Sequence, residues 1–350
     1  MNLLKREAGG SLAEDRRVQA LGVVAVLALA AVPFTTTDAL TGLILTGLVY
    51  IMLGVSWDLI AGYAGQISLG HAAFFGMGAF VSAWLTTPGG AGLPPSAQLP
   101  LLAAILVGGI AAALIALVIG PIIFRLTGHY FAIGTLALAA VIELVMLDRR
   151  DLTGGATGYY INADIGLGEM ISHGDMMFLL TLLATVITVA VTYYIVKGPA
   201  GLGMKAIHDD EDAASSLGVN PLKYKMYAFV VSSFFAGLAG ALYAHHSLYI
   251  NAQSTLAVTW TVDSLIVVIL GGMGTFVGSF FGAALFLLLD NGLSAIVGGL
   301  ATTVEGILII LFIIFLPSGL YGLIEDNLVE EISGSGADTD VDADAEIAND

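Results

Sequence analysis

Apolar residues in this chain fall into long blocks, separated by short stretches rich in Gly, Pro and charge. The blocks outrun both the alternation of a half-buried strand and the single stripe of a surface helix. They predict helices that are apolar on every side. A helix that crosses a bilayer needs about 20 mostly apolar residues. Ten stretches are candidates, roughly residues 19–34, 39–60, 69–85, 101–124, 130–147, 176–196, 226–249, 261–274, 276–290 and 301–315. The first, third, eighth, ninth and tenth are short or broken by Gly. Such segments can be re-entrant, because broken helices are tolerated where they line a cavity. The expected fold is all-α: a polytopic transmembrane bundle of 8–10 segments.

Composition fits this reading. Hydrophobic residues make up 57% of 350 and charged residues 11%, with a mean hydropathy of +0.92. Soluble domains are about half apolar and a quarter charged. The 44 Gly supply the small residues that let membrane helices approach closely. The absence of Cys excludes disulfides and thiolate metal sites.

The net charge of −17 is unevenly spread. Ten of the 28 acids lie from Glu325 onward, in a tail with no Lys or Arg. Three regions are expected: a polar N-terminal segment (1–18), a membrane domain (19–323), and an acidic, disordered tail (324–350). The apolar stretch after Arg17 reads as a retained first helix. Lys and Arg then set the orientation. With the N-terminus in the cytoplasm, inside segments carry nine of these residues, and outside segments carry only Arg149 and Arg150. Ten spans would leave both termini inside.

Four segments carry candidate chemistry. The first is AGYAGQISLGHAAFFGMGAF, residues 61–80. Gly62 and Gly65 predict a helix break, with a new helix beginning near Ser68. Gln66, Ser68 and His71 are polar groups that need partners in lipid. A helix N-terminus there would offer free N–H groups to a substrate carboxylate, and Phe74 and Phe75 would offer apolar surface. The other reading is a tight turn with close helix packing and Ser68 as a cap. The second segment holds Glu143 inside an apolar helix, where it either faces a water-filled path or pairs with Arg149 or Arg150. It is followed by LTGGATGYY at 152–160, a turn-rich outer loop.

The third segment is KGPAGLGMKAIHDDEDAASSLGVNPLKYK, residues 197–225, with four of the 11 Lys and Arg residues. The acids at 209–212 suit a helix N-terminus, Ala213 and Ala214 favour helix, and Gly218 suits the C-terminal cap. This predicts a short helix lying across the cytoplasmic face, better suited to docking than to plain linkage. The fourth is ILGGMGTFVGSFFGAALF, residues 269–286. Gly271–Gly274 predicts a bend, and Gly278 with Gly282 a helix-contact face.

Together GYAGQISLGHAAFFGMGAF, GHYFAIGTLALAAVIEL, LTGGATG, the 197–225 loop with AFVVSSFFAGLAGALYA, GGMGTFVGSFFGA and LPSGLYGL resemble the permeases of branched-chain amino acid ABC importers. The resemblance covers roughly residues 50–323 and is strongest to the longer of the two paired permeases. It implies a coupling helix seated in an ATP-binding subunit, with Glu211, Asp212, Ala213, Ala214 and Gly218 at the coupling positions. It also implies a second, homologous permease, an extracellular substrate-binding protein, and a multi-pass location in the cell membrane. Asp58 departs from the pattern, standing where such blocks commonly have Asn.

The chain has no phosphate-binding loop, so ATP hydrolysis is expected on separate subunits. No cofactor, metal site or nucleic-acid partner is expected on this chain. Urea or short amides are alternative substrates. An ion-coupled transporter using Glu143, Asp263 or Glu305 is the alternative class. An intramembrane hydrolase built on Ser68 and His71 lacks a carboxylate to orient the His.

Overall fold

The computed structural model describes residues 16–162, 172–275, 277–315, 319, 320 and 322. Residues 1–15 and the acidic tail expected at 324–350 lie outside the described residues. The described chain is helical, apart from two two-residue strands.

In chain order the helices are α1 (Arg16–Thr35), α2 (Asp38–Asp58), α3 (His71–Thr86), α4 (Leu101–Ile123), α5 (His129–Asp148), α6 (Arg150–Thr153) and α7 (His173–Lys197). They continue as α8 (Pro199–Asp209), α9 (Glu211–Ser216), α10 (Pro221–Ser247), α11 (Ala252–Thr255), α12 (Thr259–Gly271), α13 (Gly278–Val297) and α14 (Ala301–Phe315). Strand β1 (Tyr159–Tyr160) pairs antiparallel with β2 (Tyr249–Ile250), Tyr159 facing Ile250.

The expectation of about 10 membrane segments (8–10), some of them short or re-entrant, is met in part. Among the described residues, six helical stretches are long and apolar enough to span a membrane: Asp38–Tyr63, Leu101–Ile123, His129–Asp148, His173–Lys197, Pro221–Ser247 and Ala252–Gly271. The apolar stretches Gly22–Thr35 and Gly278–Leu293 are shorter. Helix α3 has 16 residues, hence a length of about 24 Å against a hydrocarbon core of about 30 Å. Helix α14 has 15 residues. The eighth expected segment, read as short, gains length because α11 leads into α12.

Helices α3, α4 and α10 form the centre of the bundle. Their backbones nearly touch: a Cβ at Gly78 would meet the Gly237 carbonyl, and one at Gly240 the Phe75 carbonyl. Only Gly permits this approach, which is how helices gain contact in lipid without a hydrophobic driving force. Phe75 stacks on Trp260, and Phe74 meets Phe229 edge to face, which fixes α12 and α10 to α3. The expected contact face of α13 is present. Gly278 lies against the Gly271 and Gly272 carbonyls, and Gly282 against Val267.

The bundle has two polar ends. At one, α2 unwinds against α8, α8 packs on α9, and Lys225 pairs with Glu211. At the other, Thr86 Oγ1 meets His245 Nε2 at 3.0 Å, and Trp84 Nε1–H donates to the Leu152 carbonyl at 2.7 Å. Arg149 and Arg150 sit at that second end.

Candidate coupling surface and broken helix

Gly198 and Pro199 turn the chain sharply out of α7. Pro at the first helical position lacks an N–H that the helix would leave unpaired anyway. Helix α8 buries Gly201, Gly203, Met204 and Ile207 and exposes Leu202. A Cβ at Gly203 would meet the Tyr224 ring, so α8 lies flat on the start of α10.

Helix α9 follows after one residue, and both of its ends are capped. The Asp210 carboxylate accepts the Ala213 N–H at 2.9 Å. At the other end, the Gly218 N–H reaches the Ser215 carbonyl and the Val219 N–H reaches the Ala214 carbonyl, both at 3.0 Å. These two bonds form a Schellman closure, with Gly218 at φ +89° in the left-handed position that favours glycine. The caps read from the sequence are therefore present. Glu211, however, turns inward to Lys225, with Oε2 and Nζ 2.5 Å apart. Lys225 is buried, so this pair ties α9 to the base of α10. Ala214 is also buried, while Asp212, Ala213 and Gly218 are exposed. The most prominent apolar group on this surface is Leu217, 86% exposed, which cap analysis passes over because it occupies an ordinary C-terminal position.

The broken segment lies directly beneath. Helix α2 widens into a π-turn at Leu59–Tyr63, and residues 64–70 are not helical. The break falls where Gly62 and Gly65 predict it, but α3 begins at His71 rather than near Ser68. The reason is a set of remote hydroxyls. The Leu69 N–H donates to Thr135 Oγ1 at 2.9 Å, and the Ala72 N–H to Thr261 Oγ1 at 2.8 Å. Ser68 Oγ accepts the Gly70 N–H at 3.3 Å, and the Ser68 carbonyl accepts Trp57 Nε1–H at 2.7 Å. Several of the N–H groups expected to meet a carboxylate thus already have partners.

Each remaining candidate has a defined place. Gly65 (φ +68°) lies against His208 of α8. Gln66 is half-buried, and its Nε2 donates to the Gly65 carbonyl at 3.2 Å. His71 is fully buried, with Nε2 2.8 Å from Ser232 Oγ. Because Ser232 gives its own proton to the Ser56 carbonyl, His71 donates from Nε2. This chain of bonds joins α3, α10 and α2. Phe74 and Phe75 are fully buried among the central helices. Of the six candidates, Ser68, His71, Phe74 and Phe75 are buried, and Gly65 and Gln66 are half-buried.

The other acids are more dispersed. Glu143 is half-buried on α5, and among the described residues no ion pair joins it to Arg149 or Arg150. Arg150 turns instead toward Gly155. Asp263 accepts the Tyr50 hydroxyl at 3.2 Å between α12 and α2. The side chain of Glu305 lies outside the described residues. Among the described residues no group of His, Asp and Glu is placed to hold a metal ion.

The family described as "Branched-chain amino acid transport system / permease component" matches residues 39–316. The chain is 29% identical to the high-affinity branched-chain amino acid transport system permease protein LivM of Escherichia coli, over 86% of this chain and 75% of that protein. It is 23% identical to the probable LivM of Methanocaldococcus jannaschii, over 60% of this chain and 66% of the relative. The ribose import permease protein RbsC of Haemophilus influenzae is 31% identical over 46% of this chain and 50% of its own length. No solved structure matches. The chain belongs to the family of permease components of branched-chain amino acid transport systems.

Proposed function

We propose that this chain is one membrane subunit of an ATP-driven importer, moving branched-chain or related amino acids handed over by an extracellular binding protein. ATP-binding subunits dock on α8 and α9 from the cytoplasm, and a second, homologous permease completes the path. The observation that carries this reading is the capped α9, which presents an exposed Leu217 and is tied to α10 by the half-buried Glu211–Lys225 ion pair. A stiff, two-capped helix can transmit a push, whereas a flexible linker cannot. An exposed leucine beside acids suits a groove with an apolar floor and a basic rim.

Support for the cytoplasmic placement comes from the distribution of Lys and Arg, nine against two in the expected topology. The substrate assignment follows the LivM relatives, which match most of the chain. The ribose permease match covers less than half.

Docking is tested by cross-linking. A single Cys in place of Leu217 should form a cross-link with an ATP-binding subunit in the assembled transporter, and excess ATP should change its yield. A Cys at Leu202 reports on the neighbouring helix. Cross-links to neither position, in a complex that still hydrolyses ATP, would remove α8 and α9 from the interface.

A further inference from the structure

A small, partly open cavity lies where α2 unwinds. It is lined by Val55, Asp58, Tyr63, Thr192, Thr275 and Ser279, and its volume is about 10 Å³. That is room for a single water-sized body. Asp58 is 3% exposed, Thr192 2% and Ser279 2%. Asp58 Oδ1 accepts the Gly274 N–H at 2.8 Å. Among the described residues no Lys, Arg or His lines the cavity. Thr192 Oγ1 is buried without a hydrogen-bond partner among the described residues.

These facts pose a problem of charge and of satisfaction. An isolated buried carboxylate is costly in a membrane protein and persists when paired or when bound to a cation. A buried hydroxyl without a partner costs about 1–3 kcal/mol. One small cation answers both. Its positive charge offsets Asp58, and its coordination uses the oxygen lone pairs of Thr192, Thr275 and Ser279. One carboxylate with neutral hydroxyls balances a single positive charge. A divalent ion would leave excess charge buried, and Mg²⁺ keeps several waters for which there is no space.

We propose that Asp58, with the hydroxyls of Thr192, Thr275 and Ser279, holds one dehydrated Na⁺ ion. The ion joins the end of α2, the buried threonine face near the C-terminus of α7, Thr275 and the first turn of α13. It stiffens the hinge next to Gly62, whose Cα approaches the Asp58 carboxylate so closely that an added Cβ would overlap Oδ1. An Asn at position 58 keeps an acceptor for the Gly274 N–H but needs no counter-ion.

The test compares the full chain with Asp58→Asn and Thr192→Val at fixed ionic strength, replacing choline chloride stepwise by NaCl. Wild-type protein should gain Tm saturably, by on the order of 5 °C, and should retain about one ²²Na⁺ per chain after rapid desalting. Asp58→Asn should lose both signals, and Thr192→Val should weaken them. A wild-type chain that retains no ²²Na⁺ and melts identically in both salts would overturn the proposal. It would mean that the cavity holds water beside a protonated Asp58. Equal Na⁺ retention by Asp58→Asn would also overturn it, by placing the ion elsewhere.

Discussion

His208 of α8 packs against Gly65 of the broken segment. A Cβ added at Gly65 would come within 3.1 Å of His208 Cδ2 and 3.3 Å of its Cα. The proposed docking surface and the unwound end of α2 are therefore in direct contact. A movement of α8 reaches the helix break with no intervening layer.

This contact predicts the behaviour of Gly65→Ala. The substitution adds strain at φ +68° of about 1 kcal/mol and crowds His208. Substrate uptake should fall roughly tenfold, while assembly and basal ATP hydrolysis persist. His208→Ala removes the crowding and should partly restore uptake in the double variant. Uptake by Gly65→Ala at the wild-type rate would show that the contact transmits nothing.

The caps of α9 make a second prediction. Gly218→Val forces a β-branched residue to φ +89°, at a cost of about 1–2 kcal/mol. Glu211→Lys places two cations where Lys225 is buried. Both variants should reach the membrane and lose coupled uptake. Exchanging the charges, Glu211→Lys with Lys225→Glu, should recover part of it. Normal uptake by both single variants would contradict the role of α9.

His71 separates packing from substrate contact. Its Nε2–H bond to Ser232 lies inside the core, so His71→Ala should lower stability by about 2–4 kcal/mol. The concentration giving half-maximal uptake should barely change in whatever fraction remains assembled. A large change in that concentration with unaltered stability would place His71 in the substrate path.

Much of the loop was legible because its signals are local. Asp210, Gly218, Pro199 and Pro221 act within one helical turn of where they stand, and the helices begin and end accordingly. The start of α3 was not legible. Its partners, Thr135 and Thr261, lie far along the chain, so the sequence pointed to Ser68. Phe74 and Phe75 look alike whether they face substrate or core. Their contacts with Phe229 and Trp260 link distant segments, and no periodicity reports them. The pairing of Asp58 with Gly274 spans 216 residues and was equally hidden. The helical lengths of the short apolar runs were not legible, because where a helix starts and stops depends on partners far along the chain, as at α3.

Sidedness gives a fourth prediction. The native chain has no Cys, so single Cys residues can be introduced at His208 and Gly155. An impermeant thiol reagent applied to intact cells should label position 155 and spare 208. Labelling of 208 alone would invert the topology.

The central claim is that ATP hydrolysis on partner subunits drives this permease. Its most direct measurement is leucine uptake into proteoliposomes containing the chain, its partner permease and its ATP-binding subunits, with binding protein outside and ATP trapped inside. The account predicts accumulation that requires ATP, binding protein and an intact α9, with isoleucine and valine competing and ribose and urea not. Accumulation by this chain alone, driven by a proton or Na⁺ gradient without ATP, would contradict it.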